Sequence, residues 1–295
     1  MDKKTKILLT CALILAGLGI LFVAQSLNFG KLRLIFCDVG QGDGMLIISP
    51  GGNQVVVDGG PGAKIDDCLS RNMPFWDRTI ELVVLTHPQA DHMMGLLTVL
   101  GKYKVRRIAT TDVPAATQTF TKWQGAMAKS GAQIYNPEIG DSVLLDPKRG
   151  DTSPRLAVLW PARSQVLAWR DPPTGSPKVD LNETAIVAKL IYGQFCAYLS
   201  ADIPKEILQG LIDRSCPVLK IAHHGSRTGT SELVLEQAKP ELAIIQSGQN
   251  NRYGHPHKEI IDLLVSKGVK ILRNDTNGII EITSDGRSYK VKSER

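Results

Sequence analysis

The 295-residue chain has no Gly-x-Gly-x-x-Gly turn and no P-loop, which removes the two commonest glycine-rich phosphate cradles. It has no heptad seam and no short-period repeat, so neither a coiled coil nor a solenoid is expected. Its five cysteines match no zinc-finger spacing. Charge is missing altogether from Ile7 to Gly30, in ILLTCALILAGLGILFVAQSLNFG. Roughly 20 apolar residues suffice to span a bilayer, and Lys3, Lys4 and Lys6 before the run fit a positive cytoplasmic side. Residues 1–30 are therefore read as one transmembrane anchor. The alternative is a signal segment cleaved near Ala24-Gln25-Ser26, although the run exceeds the usual apolar core of about 7–15 residues. Cys11 lies too close to the lysines to be a lipoprotein cysteine. In either case residues 31–295 form the domain and lie outside the cytoplasmic membrane, anchored or secreted.

What is present is ordinary for a globular domain: 43% apolar and 22% charged residues. Net charge is +6, of which the first 30 residues supply +2, leaving a mildly basic domain. That permits a polyanionic substrate without requiring one. Cys37, Cys68, Cys196 and Cys216 are an even set outside the membrane and permit disulfides. Cys37 and Cys196 sit in apolar runs, however, and buried free thiols fit equally well.

Short apolar runs separated by glycine-rich turns predict strands at LRLIFC, GMLIIS and QVVVDGG. AKIDDCLSRN reads as a helix, ELVVL as a buried strand, and MMGLLTVLGKY as a helix beginning after the HPQADH loop. A strand at VRRIATT and a helix from Ala115 to Lys129 follow. The proline-rich stretch 146–180 reads as surface loops around the strand LAVLW. AIVAKLIYG and FCAYLSAD form a hairpin, then helices and strands alternate from PKEILQGLID to KILRN, and GIIEITSDGRSYKVK closes as a β pair. This order suits two sheets stacked face to face with helices outside, an αββα sandwich whose strand ends from both halves meet at one edge.

Only six histidines occur, in three pairs, and each pair borders an apolar strand: His87 and His92, His223 and His224, His255 and His257. Such pairing argues for ligands rather than isolated structural histidines. Asp91 beside His92, and Asp202 ending CAYLSAD, add carboxylates; imidazole with carboxylate suits zinc, manganese or iron. Asp58, in VVVDGG, is either a further carboxylate at a strand exit or a turn aspartate.

HPQADH, the strand end SAD and the later HHGS resemble the metallo-β-lactamase fold, whose loop reads His-x-His-x-Asp-His. The chain more specifically resembles the extracytoplasmic hydrolase domain of the ComEC/Rec2 competence family. The shared motifs are DVGQGD at 38–43, VDGG at 57–60, THPQADHMMG at 86–95, SAD at 200–202, KIAHHGS at 220–226 and NNRYGHP at 250–256. They span nearly all of 31–295, in the family's order, without its multi-pass channel segment.

The resemblance implies a hydrolase using one or two divalent ions, zinc or manganese. One ion would be held by Asp91, His92 and His223 or His224, with Asp202 bridging. His223, the first residue off its strand, is the expected ligand, and His224 then ligates or donates a proton to a leaving group. The other site departs from the family: Gln89 replaces a histidine or aspartate, and Asn182 falls where other members have a histidine. Amides are weak ligands, which leaves His87 and Asp202 to hold that ion. One firm and one loose site are expected, the loose one filling with substrate phosphate or preferring manganese. Asp91, His224 and Lys220 are the expected catalytic groups; Lys220, Arg252 or His255 can meet transition-state charge. Asp38 or Asp43 would support the metal loop, together with Asp58. Asn251, Arg252, Tyr253 and His255 either cap a helix or grip a phosphate and stack a base.

The leading functional expectation is a phosphodiesterase acting on DNA during uptake, with the cytoplasmic membrane and a DNA-uptake channel protein as partners. Hydrolysis of a small ester, lactone or lactam is the second. A weakened metal-binding module is the third.

Overall fold

The computed structural model describes residues 2–26, 30–111, 113–171 and 179–295, with side chains within the first segment described at 2–17 and 19. A helix runs over Lys3–Ser26. Among the described residues no helix is long and apolar enough to cross a membrane. Side chains of the Ala24-Gln25-Ser26 stretch, and residues 172–178 of the proline-rich loop, lie outside the described residues.

Strands Leu32–Phe36, Gly44–Ile48 and Gln54–Gly59 are antiparallel neighbours, and Leu82–Leu85 and Arg107–Thr110 continue the sheet in parallel. With Gln133–Tyr135 at one edge and the hairpin Ile280–Ser284 and Tyr289–Ser293 at the other, this sheet has eight strands among the described residues. The second has seven, in the order Lys270–Arg273, Leu242–Ile245, Val218–Lys220, Phe195–Leu199, Val187–Tyr192, Arg155–Trp160 and Ser142–Leu144. Leu82–Leu85 is a continuous apolar run because both its faces are covered. Val84 faces the sandwich interior with Leu34, Val57, Leu190 and Leu199. Val83 and Leu85 face helices Lys64–Asn72, Ala90–Lys102 and Gln118–Ser130 through Leu69, Leu96 and Trp123. Helices Lys205–Leu211, Glu232–Ala238 and Lys258–Ser266 cover the other sheet through Leu208, Val234 and Leu264. These three cores make the αββα sandwich.

Two strands of the large sheets were not expected from the sequence, Gln133–Tyr135 and Ser142–Leu144, nor was Thr79–Ile80, which pairs in parallel with Lys104–Val105. The first two are three residues long and largely exposed at sheet edges, so neither shows an alternating apolar signature. Residues 146–171 are more ordered than surface loops, forming a 3-10 turn at Pro147–Thr152 and a helix at Arg163–Arg170. The helix after the HPQADH motif begins at Ala90 rather than Met93, which places Asp91 and His92 in its first turn. Cys37–Cys68 and Cys196–Cys216 are disulfides, resolving the open choice between bridges and buried thiols. Cys11 is free and exposed.

Candidate metal centre

The strand Leu82–Leu85 ends inside the protein, and the chain must turn at Thr86–Gln89 before the helix Ala90–Lys102 returns over the sheet. The helix sits close because Gly95 meets Gly59: a Cβ on Gly95 would lie 1.9 Å from the Gly59 carbonyl oxygen. The DVGQGD turn closes from the other side. Gly42 has φ +136°, and a Cβ there would lie 2.0 Å from the Asp91 carbonyl oxygen. The second sheet reaches the same edge, where Ile186 N donates to Thr86 O at 2.9 Å, just before the strand Val187–Tyr192. Strand exits from both halves thus converge, and Asp202, His223 and His224 arrive from the second sheet.

His87, His92 and Asp202 present ligand atoms within 4.8 Å of one another, and so do Asp91, His92 and His224. His92 Nε2 stands 3.3 Å from Asp202 Oδ2, His224 Nε2 stands 3.1 Å from the same oxygen, and His224 Nε2 is 3.5 Å from Asp91 Oδ2. The opposite ring nitrogens are all occupied. His92 Nδ1 donates to Asp58 at 2.8 Å and His224 Nδ1 to the Gln246 carbonyl at 2.9 Å. Thr86 Oγ1 donates to Asp58 at 2.7 Å, which leaves its oxygen to accept from His87 Nδ1 at 3.0 Å. Fixing the proton on Nδ1 turns each Nε2 lone pair toward the cluster, the arrangement expected of metal-ligating histidines. Those three Nε2 atoms and both Asp202 oxygens are buried without a hydrogen-bond partner. Buried polar atoms are normally satisfied, so five convergent orphans fit one or two divalent ions.

Charge leads to the same conclusion. Asp43, Asp58, Asp91 and Asp202 surround the cluster, and Lys220 is the one lysine paired within it. Burial works against ionised carboxylates here, but Asp43 is still held below its usual range by Lys220 and His224, and Asp202 by His224 and His92. Asp91 is likewise held low by His224 and His92. Burial also opposes charge on His92 and His224, yet Asp202 and its neighbours raise both well above the ordinary histidine value. His87, pushed down to about 3 by burial and by His92, stays neutral. Asp58 is raised by burial. The cluster therefore draws positive charge, as bound protons or as a metal ion.

Residues 37–181 match the model of the metallo-beta-lactamase superfamily. The structure of the metallo-beta-lactamase fold protein YhfI from Bacillus subtilis superposes with a TM-score of 0.53 at 12% identity, over 84% of this chain and 98% of that one. This chain has the metallo-β-lactamase fold. Its sequence is also similar to ComE operon protein 3 of Bacillus subtilis, 27% identical over 89% of this chain and 34% of that protein. Recombination protein 2 of Haemophilus influenzae is 26% identical over 77% of this chain and 26% of that protein. The chain thus spans about a third or less of the length of these relatives.

Within this fold, the structure alters several sequence expectations. His224, not His223, faces the cluster: His223 Nε2 is 4.0 Å from Asp202, and its ring is partly exposed. Leaving the strand first does not decide the ligand, because both histidines adopt left-handed backbone (φ 52° and 55°) and the second one turns inward. His92 falls in both candidate ligand sets, with His87 and Asp202 and with Asp91 and His224, so the structure does not assign it to one set as expected. Lys220 is fully buried, donates to Ala201 O at 2.7 Å and pairs with Asp43, so it positions the cluster and does not reach a substrate. Asp43 lies beneath the centre, 3.3 Å from His224 Nδ1, whereas Asp38 pairs with Arg295. Gln89 and Asn182 do meet, but the Gln89 amide donates to Asn182 Oδ1 at 2.8 Å, which occupies the Asn182 oxygen.

The 250–257 loop forms the lip. His255 is 6.1 Å from the His224 ring and 5.6 Å from that of His223, and Tyr253 stacks on it at 5.7 Å. Arg252, exposed, bonds the Tyr253 hydroxyl at 2.7 Å and feels the Asp91 charge. Asn251 is removed from the binding set: its amide donates to the Gly248 and His255 carbonyls, and its oxygen accepts from two backbone N–H groups. Thr86 and Gln246 were missed. Thr86 had a signal in the TH of the motif; Gln246 had none, because it matters only through long-range packing onto His224 and onto the Cys37 and Gly44 carbonyls.

Proposed function

We propose that this chain hydrolyses phosphodiester bonds of DNA outside the cytoplasmic membrane. The observation that carries the reading is the set of three oriented imidazoles and Asp202, opening beneath a lip that combines a guanidinium, a phenol and an imidazole. His87, His92, Asp91, His224 and Asp202 would hold one ion firmly and a second loosely, zinc or manganese. A divalent ion at such a site would supply a bound water far more acidic than bulk water, with a pKa of about 7. Asp58, Thr86 and Gln246 keep the rings oriented, and Asp43 with Lys220 keeps Asp202 and His224 in register. Arg252 and His255 face the anion and oppose charge building on it, and Tyr253 offers a face on which a base stacks. The name of Recombination protein 2 favours DNA over a small ester or lactam, and the resemblance to the competence family suggests a channel protein of a DNA-uptake system as partner.

Membrane attachment belongs to the same proposal. Its support is the uncharged Ile7–Gly30 run after three lysines, with Leu8, Leu13 and Leu15 about 70% exposed on the first helix. The deciding experiment purifies the full chain, measures bound metal, and assays labelled single- and double-stranded DNA with added manganese or zinc. Cleavage that is lost in Asp91→Ala supports the reading. Equal behaviour of wild type and Asp91→Ala with every metal removes it.

A further inference from the structure

The end of the sandwich opposite the metal centre has its own chemistry. Strands Leu32–Phe36 and Leu82–Leu85 both run from this end toward the centre, so the segments before them lie here. Gly30, where the first helix joins the domain, donates to Pro50 O at 3.2 Å. A few residues on, Gln54 donates its amide to Asp77 at 3.0 Å, which ties the loop Met73–Arg78 beside that junction. At the tip of this loop Phe75 is 72% exposed and Trp76 60% exposed, packed edge to face on each other at 4.7 Å and on nothing in the core.

The same end exposes cations. Lys31, Arg78, Lys104 and Arg106 are exposed here, with Lys104 N donating to Arg78 O at 2.8 Å and Arg78 lying over the Tyr103 ring at 5.4 Å. Arg106, Arg107 and Lys148 line a cavity of about 300 Å³ at the same end. The nearby carboxylates are engaged: Asp77 accepts from Gln54 and Thr79, and Glu81 accepts from Gln54 N and pairs with Arg106 at 3.6 Å. An exposed aromatic pair at the same end as exposed lysine and arginine is the composition that favours a bilayer interface with anionic headgroups.

We propose that the Phe75–Trp76 loop seats this end of the domain on an anionic lipid surface, so that the metal centre faces away from the membrane. The proposal rests on the membrane attachment inferred above. It adds a fixed orientation, in which the first helix and the aromatic loop form two points of contact on one face.

The full chain would be reconstituted into phosphatidylglycerol vesicles with brominated or unbrominated acyl chains, and tryptophan emission and co-sedimentation measured together. Of the other tryptophans, Trp123 is buried, and Trp160 and Trp169 face one another at 6.2 Å, with Trp160 bonded to the Glu183 carbonyl. Brominated lipid should quench a component of wild-type emission that is missing in Trp76→Phe. Equal quenching in the two proteins overturns the proposal, and points to a protein partner for the loop. Sedimentation without Trp76 quenching spares the anchor and removes only the orientation; failure to sediment removes both.

Discussion

Asp58 accepts from the His92 ring and from both the amide and the hydroxyl of Thr86, which in turn meets His87. One carboxylate thus orients two imidazoles. Asp58→Asn would offer the His92 ring one oxygen and one competing donor, and should weaken metal binding by about 10–100-fold. A competition titration against a chelator reads this directly, and unchanged affinity would mean that the rings are held by packing alone. Gln89 and Asn182 raise a different expectation. Because they bond each other and both are neutral, replacing both with histidine should raise bound metal from one tight ion per chain to two; an unchanged count would show that the amides are not what loosens the second site. Protons compete with metal here. His92 and His224 stand well above the ordinary value, so metal binding near neutral pH must displace protons, and affinity should rise with pH. Mixing metal with the metal-free chain in weak buffer should release acid, measurable with an indicator.

At the scale of elements, the helix Ala90–Lys102 delivers Asp91 and His92, and its height above the sheet is set by Gly95 on Gly59. Gly101, in the last turn of the same helix, meets nothing within 4 Å. Gly101→Ala should therefore stabilise the fold by about 0.5–1 kcal/mol through helix propensity. Gly95→Ala should cost about 1–3 kcal/mol through overpacking and also lower metal affinity, because the displaced first turn carries two ligands. Denaturation midpoints and metal titration of the two variants separate the effects. If both alanines behave alike, close approach is not what seats the helix. Much of this was legible beforehand: the run LVVL, the residues Asp91, His92 and Asp202, and the glycine-rich DVGQGD turn all have local signatures. The choice of His224 over His223 did not. It depends on left-handed backbone at both residues, a strain of about 1–3 kcal/mol each that the surrounding fold imposes. Lys220 was misread for a related reason. A lysine at a strand end resembles a substrate-facing cation until Asp43, 177 positions earlier in the sequence, is found beneath it.

Across the whole molecule, the first sheet joins distant segments: Ile280–Ser284 pairs with Leu32–Phe36, some 250 residues away. Long-range pairing of this kind has no sequence periodicity of its own, and here it is reinforced by charge. Arg33 Nε donates to Glu281 at 2.5 Å with both side chains largely buried, and Lys292 on the final strand reaches the same carboxylate at 2.8 Å. Burial alone would raise Glu281, but Arg33 and Lys292 together hold it below its ordinary value of 4.5. A carboxylate depressed in the folded state binds protons more readily when unfolded. Its contribution to stability is therefore complete above about pH 4.5 and is lost as pH falls through the lower folded value. Glu281→Gln should be less stable than wild type at pH 7, since it leaves Arg33 buried without its charge partner. As pH falls through the lowered folded value the two proteins should converge. Urea midpoints for both from neutral pH down into the acid range test this, and a gap that does not narrow with falling pH would assign the loss to packing rather than to the ion pair.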